Sequence, residues 1–324
     1  MSRKKPAPAK ARVDTGFPIR TCATQNEVER IRLDSNGIRA TDMTEIRTLL
    51  RAIVLVGWAA APQAALPQKL GLLPARFEIS PDLAAKVGRR IWLNESGGDE
   101  RALTVWNYGE DFMSLGIGHF IWFPAGRSAP FEESFPPMLE YLRAKGVRLP
   151  NWLDRHPIPP SPWSSRLDFE RRSDSAQMIE LRAFLWSSLG EQAQFLIFRA
   201  QQALPKILSS VGSVEEKERV QRQFERVARA SATLYPIVDY VNFKGEGVTP
   251  SETFPDKQSG VPQGWGLKQV LLLMTGSAEG QPALEEFSNA AKQVLERRIR
   301  NNPADATREK GWLARCDSYR RPLL

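Results

Sequence analysis

Glu95 and His119 frame a stretch of this chain rich in groups able to move protons, NESGGDERALTVWNYGEDFMSLGIGHFIW from Asn94 to Trp122. A glutamate precedes, by twenty-four residues, the histidine that closes a Gly116-Ile117-Gly118-His119 turn, with Asn107, Glu110, Asp111 and Ser114 between them. Acid–base chemistry needs one carboxyl that stays protonated near neutral pH and a second polar group that directs water or steadies positive charge. Glu95 suits the first role. It continues the apolar stripe Leu83, Val87, Ile91 by one turn, so its carboxyl should face inward. It also stands at the negative end of the expected helix, and burial and dipole together favour a protonated carboxyl. For the second role, Asn107 can position water but cannot act as a base, whereas Glu110 and Asp111 can. Successive residues of a strand point to opposite faces, so at most one of these two acids enters a cleft, and Glu110 is preferred. Glu246 is the reserve second carboxylate.

The elements that must position these groups are legible in part. Ser80-Pro81-Asp82 starts a helix with a hydroxyl cap and a proline in the first turn, running to about Asn94, with Gly97-Gly98 as its stop. Leu103 to Phe123 holds two β-prone runs, LTVW and HFIWF, around a polar middle, which predicts a small hairpin or three-stranded sheet. Nine prolines between Phe123 and Trp163 predict an ordered irregular segment interrupted by one helix near Phe135 to Lys145. Apolar residues at three and four spacing then predict helices over Ser173–Leu189, Glu191–Ser210, Val214–Ala232, Leu267–Thr275 and Pro282–Asn301. Pro205 should kink or end its helix. The expected class is mainly α (α+β), a helical domain with a small β-hairpin or sheet next to Glu95.

The Glu95 to His119 segment resembles the active-site segment of phage-type lysozymes. In that family a catalytic Glu ends a helix, a short hairpin carries a second polar group, and a GIGH or GYGH turn closes the substrate cleft. Glu95, the run Asn107 to Asp111, Ser114 and Gly116-Ile117-Gly118-His119 stand in those places. The likeness spans about thirty residues. The family's Asp and Thr before the turn correspond here to Asn107 or Glu110 and to Ser114. The resemblance implies a lysozyme-like fold and an exported glycosidase or lytic transglycosylase acting on peptidoglycan, with Glu95 as general acid. It makes His119 a structural residue of the turn. Gln263-Gly264-Trp265-Gly266-Leu267-Lys268-Gln269 is similar to the G-L-M-Q segment of lytic transglycosylases, although it lies roughly 170 residues after the glutamate rather than close behind it. Trp265 between glycines would offer a platform for a sugar face, and Gln269 a hydrogen-bond donor. Asp239 to Gly247 reads as a glycine-flanked irregular segment carrying binding groups, Glu246 among them. A rival reading is a non-catalytic glycan-binding or envelope-structural protein that keeps the fold, favoured by Asn107 at an acid's position.

Composition narrows the field further. Residues 1–65 hold 11 Lys and Arg against 6 Asp and Glu, five of the chain's eight excess positive charges, so the remainder offers no case for nucleic acid. Two cysteines and two histidines are too few and too scattered for a zinc site, and no phosphate loop, dinucleotide fingerprint or serine-hydrolase elbow is present. No metal and no cofactor is expected. Residues 1–42 read as a disordered tail or a translated upstream region. From Met43, Arg47 and Arg51, an apolar run Ala52 to Ala61 and a small-residue stretch follow in order, as in a secretory signal peptide over 43–65. That run is too short for an ordinary membrane span. The expectation is a periplasmic or secreted protein without a stable span, its single domain covering 66–324.

Overall fold

In the computed structural model, residues 79–127 and 132–323 are described. The tail expected over 1–42 and the export segment over 43–65 lie outside them. The described chain is mainly helical, with ten α-helices and two small antiparallel sheets.

Helix α1 (Pro81–Ser96) starts where Ser80 Oγ accepts the Leu83 amide and stops at Gly97, whose positive φ of 66° turns the chain so that its N–H reaches the Leu93 carbonyl. Its buried face is Ala84, Val87, Gly88 and Ile91. Leu83, expected on that stripe, is only partly buried. A 3₁₀ turn over Glu100–Leu103 leads into β1 (Thr104–Val105), β2 (Met113–Leu115) and β3 (Phe120–Trp122). These pair in sequence order, with Val105 opposite Ser114 and Ser114 opposite Ile121. This is the three-stranded alternative of the sequence reading.

The proline-rich segment contains α2 (Phe135–Ala144) and folds under the sheet. There Trp122, Phe135, Trp152 and Trp163 meet, with Trp122 Nε1 donating to the Pro159 carbonyl at 3.1 Å. Short α3 (Arg166–Arg171) and then α4 (Ala176–Ser187) follow. The long α5 (Leu189–Ser210) is the axis of the molecule and packs on α1, α2, α6 (Val214–Ser231) and α7 (Tyr235–Lys244). Gly88 lets α1 and α5 approach closely, since a Cβ there would lie 2.5 Å from that of Ala193. Pro205 was expected to kink or end its helix; α5 instead runs through it to Ser210. Neighbouring helices hold the apolar faces of both turns around Pro205, with Ala203, Leu204 and Ile207 all buried.

Next come β4 (Thr253–Pro255) paired with β5 (Pro262–Gly264), then α8 (Leu267–Leu273) and the long α9 (Gln281–Asn301). A 3₁₀ turn over Pro303–Arg308 leads to α10 (Glu309–Asp317). No helix among the described residues is long and apolar enough to cross a membrane.

Candidate active site

Glu95 sits in the last turn of α1, largely shielded, at the wall of a cleft of about 530 Å³. Its surroundings are more polar than an extension of the α1 apolar stripe implies. Oε1 accepts from Arg315 Nη2 at 2.7 Å and from Asn242 Nδ2 at 3.1 Å. Oε2 lies 3.9 Å from His119 Nδ1, beyond hydrogen-bond range. Both donors therefore load one oxygen, Oε1.

The arginine is fixed from behind. Asp239, one turn before Asn242 on α7 and wholly buried, takes Arg315 Nε on Oδ2 and Nη2 on Oδ1, each at 2.8 Å. Tyr319 Oη donates to the same carboxylate at 2.6 Å and Asn94 Nδ2 at 3.0 Å. Four donors satisfy a carboxylate that would otherwise be expensive to bury. Burial works against the Arg315 charge, but the Asp239 and Glu95 carboxylates outweigh it and hold the guanidinium well above its ordinary range. The planar, bidentate geometry suits arginine and not lysine.

The Gly-Ile-Gly-His turn joins β2 to β3. Gly116 has a φ of 66°, and a Cβ there would lie 2.3 Å from Gln192 Oε1. Gln192, fully buried on α5, accepts the Ile117 amide at 3.0 Å while its Nε2 donates to the Leu185 carbonyl at 2.7 Å. The turn is thus bolted to α5, and it delivers His119, itself at φ 48°, to the cleft beside Glu95. Burial pushes the imidazole below its ordinary value and the Glu95 carboxylate only partly restores it, so the ring is neutral at pH 7.

Among the other residues singled out from sequence, Glu110, Glu246 and Trp265 line the same cleft. Glu110 lies in the β1–β2 loop and not on a strand, so strand alternation does not govern it. Its backbone carbonyl is anchored by Trp106 Nε1 at 2.7 Å, and Asn107 Nδ2 donates to its Oε2 at 3.0 Å. Burial pushes its carboxyl up, against Asn107 and Arg308. Glu246 follows α7 and accepts from Lys206 Nζ at 2.8 Å; burial raises it too, with Lys206 opposing. Asn107 itself is exposed and reaches the cleft only through Glu110. Ser114 is buried in the middle strand, away from the cleft lining. Trp265, expected as an exposed platform, is 6% exposed because it stacks on Phe254 at 4.8 Å with Arg298 over its ring at 4.0 Å. Gln269 also lies away from the cleft lining and pins the Gly247 carbonyl at 3.1 Å, with Gly247 and Gly264 packed against its amide.

Sequence reasoning gave no role to Asn94, Arg315 and Tyr319, and held Asp239 and Asn242 only as members of a binding segment. One signal was available: Asp239 interrupts the apolar run Tyr235-Pro236-Ile237-Val238, and an acid in such a run calls for a buried cation. The segment that reads as irregular from its flanking glycines is, up to Lys244, helix α7. Among the described residues no group of three or more His, Cys, Asp or Glu side chains could hold a metal ion. No protein-family model, no curated protein sequence and no solved structure matches this chain.

Proposed function

We propose that this chain is an exported, lysozyme-like glycosidase or lytic transglycosylase that cleaves peptidoglycan, with Glu95 as the proton donor. The observation that carries the reading is the meeting of Glu95 with the neutral His119 of the Gly-Ile-Gly-His turn at one cleft, 3.9 Å apart. In this mechanism the proton on Oε2 passes to the glycosidic oxygen as the bond to the sugar breaks, and the carboxylate left behind is stabilised by Arg315 and Asn242 on Oε1. Glu110 or Glu246 then steadies the oxocarbenium-like sugar or directs water. Without such help the sugar's own 6-hydroxyl closes on the reacting carbon and leaves an anhydro end. Purified peptidoglycan incubated with wild type and Glu95→Gln tests the reading: soluble fragments from wild type alone support it, and equal release by both removes Glu95 from the chemistry. Mass spectrometry of the fragments separates hydrolysed from anhydro ends.

A second reading exchanges the roles of two acids. Burial favours the protonated form of Glu110, whereas Glu95 carries a guanidinium 2.7 Å away. Glu110 would then give the proton and Glu95 act as the ionised partner. The basic limb of the pH profile, governed by the donor, moves on Glu110→Asp in this case and on Glu95→Asp in the first. A chain that binds glycan and releases nothing would instead be the non-catalytic binding protein.

A further inference from the structure

Lys244, the last residue of α7, lines the cleft with only 8% of its surface exposed, yet nothing among the described residues accepts a hydrogen bond from its ammonium. Nζ lies instead 3.2 Å from the ring centroid of Trp312 and 3.9 Å from that of Phe243. Two more cations, Arg298 and Arg308, line the same cleft and share a single acid, Asp305, at 2.9 Å and 3.1 Å. Arg315, from α10, is already committed to Asp239 and Glu95. Lys244 thus lies beside Arg298, Arg308 and Arg315 with no acceptor of its own, a costly arrangement for a free protein that an incoming anion relieves. Burial first, then Arg298, Arg315 and Arg308, push the Lys244 ammonium well below its ordinary range, and Asp305 only partly opposes them.

We propose that Lys244, Arg298 and Arg308 form a subsite for a carboxylate borne by the ligand, beside the ring of Trp312. The identity of the carrier as a glycan rests on the proposed function; the anion site rests on these residues alone. Binding sets the carboxylate against the Lys244 ammonium, so any proton that burial displaces from the amine is regained from the buffer. On an acidic glycan that carboxylate is either an ether acid on the sugar ring or the end of an attached peptide.

Calorimetric titration of the full chain with three saccharides of equal length tests this: neutral, with a free ether carboxylate, and with that carboxylate amidated by a peptide. At least one acidic form should bind about tenfold more tightly than the neutral one, as a charge-assisted contact predicts. Its heat should vary with the ionisation enthalpy of the buffer. Lys244→Met, which removes a desolvated amine and should still fold, and Arg308→Gln, at an exposed position, should each cut the gain to about threefold or less. A gain with the free acid assigns the ring carboxylate, and a gain with the peptide form alone assigns the peptide's. Equal binding of all three overturns the subsite and leaves the glycan reading standing. Should no saccharide bind while lactate still raises the melting temperature of wild type and not of Lys244→Met, the glycan reading fails and the anion site survives. Absence of both effects overturns the site.

Discussion

Arg315 and Asp239 form a two-bond ion pair with both contacts at 2.8 Å, and the same Nη2 that meets Asp239 reaches Glu95 at 2.7 Å. The proposed proton donor is therefore held by a cation whose position is set by a second, wholly buried acid. The placement of Glu95 depends on α7 and α10 as much as on α1.

Asp239→Ala should accordingly be among the most damaging single changes. It strands Arg315, Asn94 and Tyr319 around an empty site, and breaking one side of a buried pair costs about 3–5 kcal/mol. Urea unfolding of the variant measures this. A loss under about 1 kcal/mol would mean that the pair contributes little beyond what a surface contact does.

Glu95→Gln keeps the amide within reach of Asn242 and leaves Arg315 its two bonds to Asp239. Folding should be nearly unchanged, while peptidoglycan cleavage falls by at least about a hundredfold, the usual contribution of a positioned general acid. Turnover assays beside thermal melts separate the two effects. Glu110→Gln and Glu246→Gln in the same assay rank the second group.

Gly116→Ala should destabilise by more than Gly109→Ala. Both positions have positive φ, 66° and 81°, which costs a side chain about 1–2 kcal/mol. Only at Gly116 does the added methyl also strike Gln192 Oε1, whereas nothing lies within 4 Å at Gly109. Equal melting temperatures for the two variants would show that the Gln192 clasp yields freely.

Stability should fall on the alkaline side. Burial lifts the Cys316 thiol from 9.0 to about 12, and burial lifts the hydroxyls of Tyr240 and Tyr319 well above 10.0. An acid whose neutral form is favoured by folding adds stability that is complete below its unfolded pKa and is lost as pH rises toward the folded one. For the thiol that window runs from 9.0 to about 12. Relative to Cys316→Ala, the wild type should therefore lose unfolding free energy as pH rises above 9.0. Native Cys316, being fully buried, should resist alkylation until the chain unfolds.

The helices with a clean apolar period, α1, α5, α6 and α9, were legible because burial on one face imposes that period. So was the small sheet, from LTVW and HFIWF bounded by turn residues. Helix α7 was not, because Tyr235 to Val241 are buried all round and a segment with no polar face has no period to read. Helix α10 was missed for a related reason: only Trp312 and Cys316 face inward, and Arg315 points into the interior as a charge. The local part of the site, Glu95 with the Gly-Ile-Gly-His turn, could be found from spacing within thirty residues. Asn242, Asp239 and Arg315 are brought there by tertiary packing alone. Trp265 was misjudged because flanking glycines suggest exposure, while Phe254 and Arg298, distant in sequence, cover it.

The 220 residues between Glu95 and Arg315 also set an order of events during synthesis. Glu95 and its turn leave the ribosome long before the arginine that fixes the carboxylate exists. In that interval α1 can form, but the wall contributed by α10 is missing. A nascent or prematurely terminated chain would thus present the glutamate in a loosely defined setting. The cleavage proposed for this site would appear only after the far end of the chain has docked.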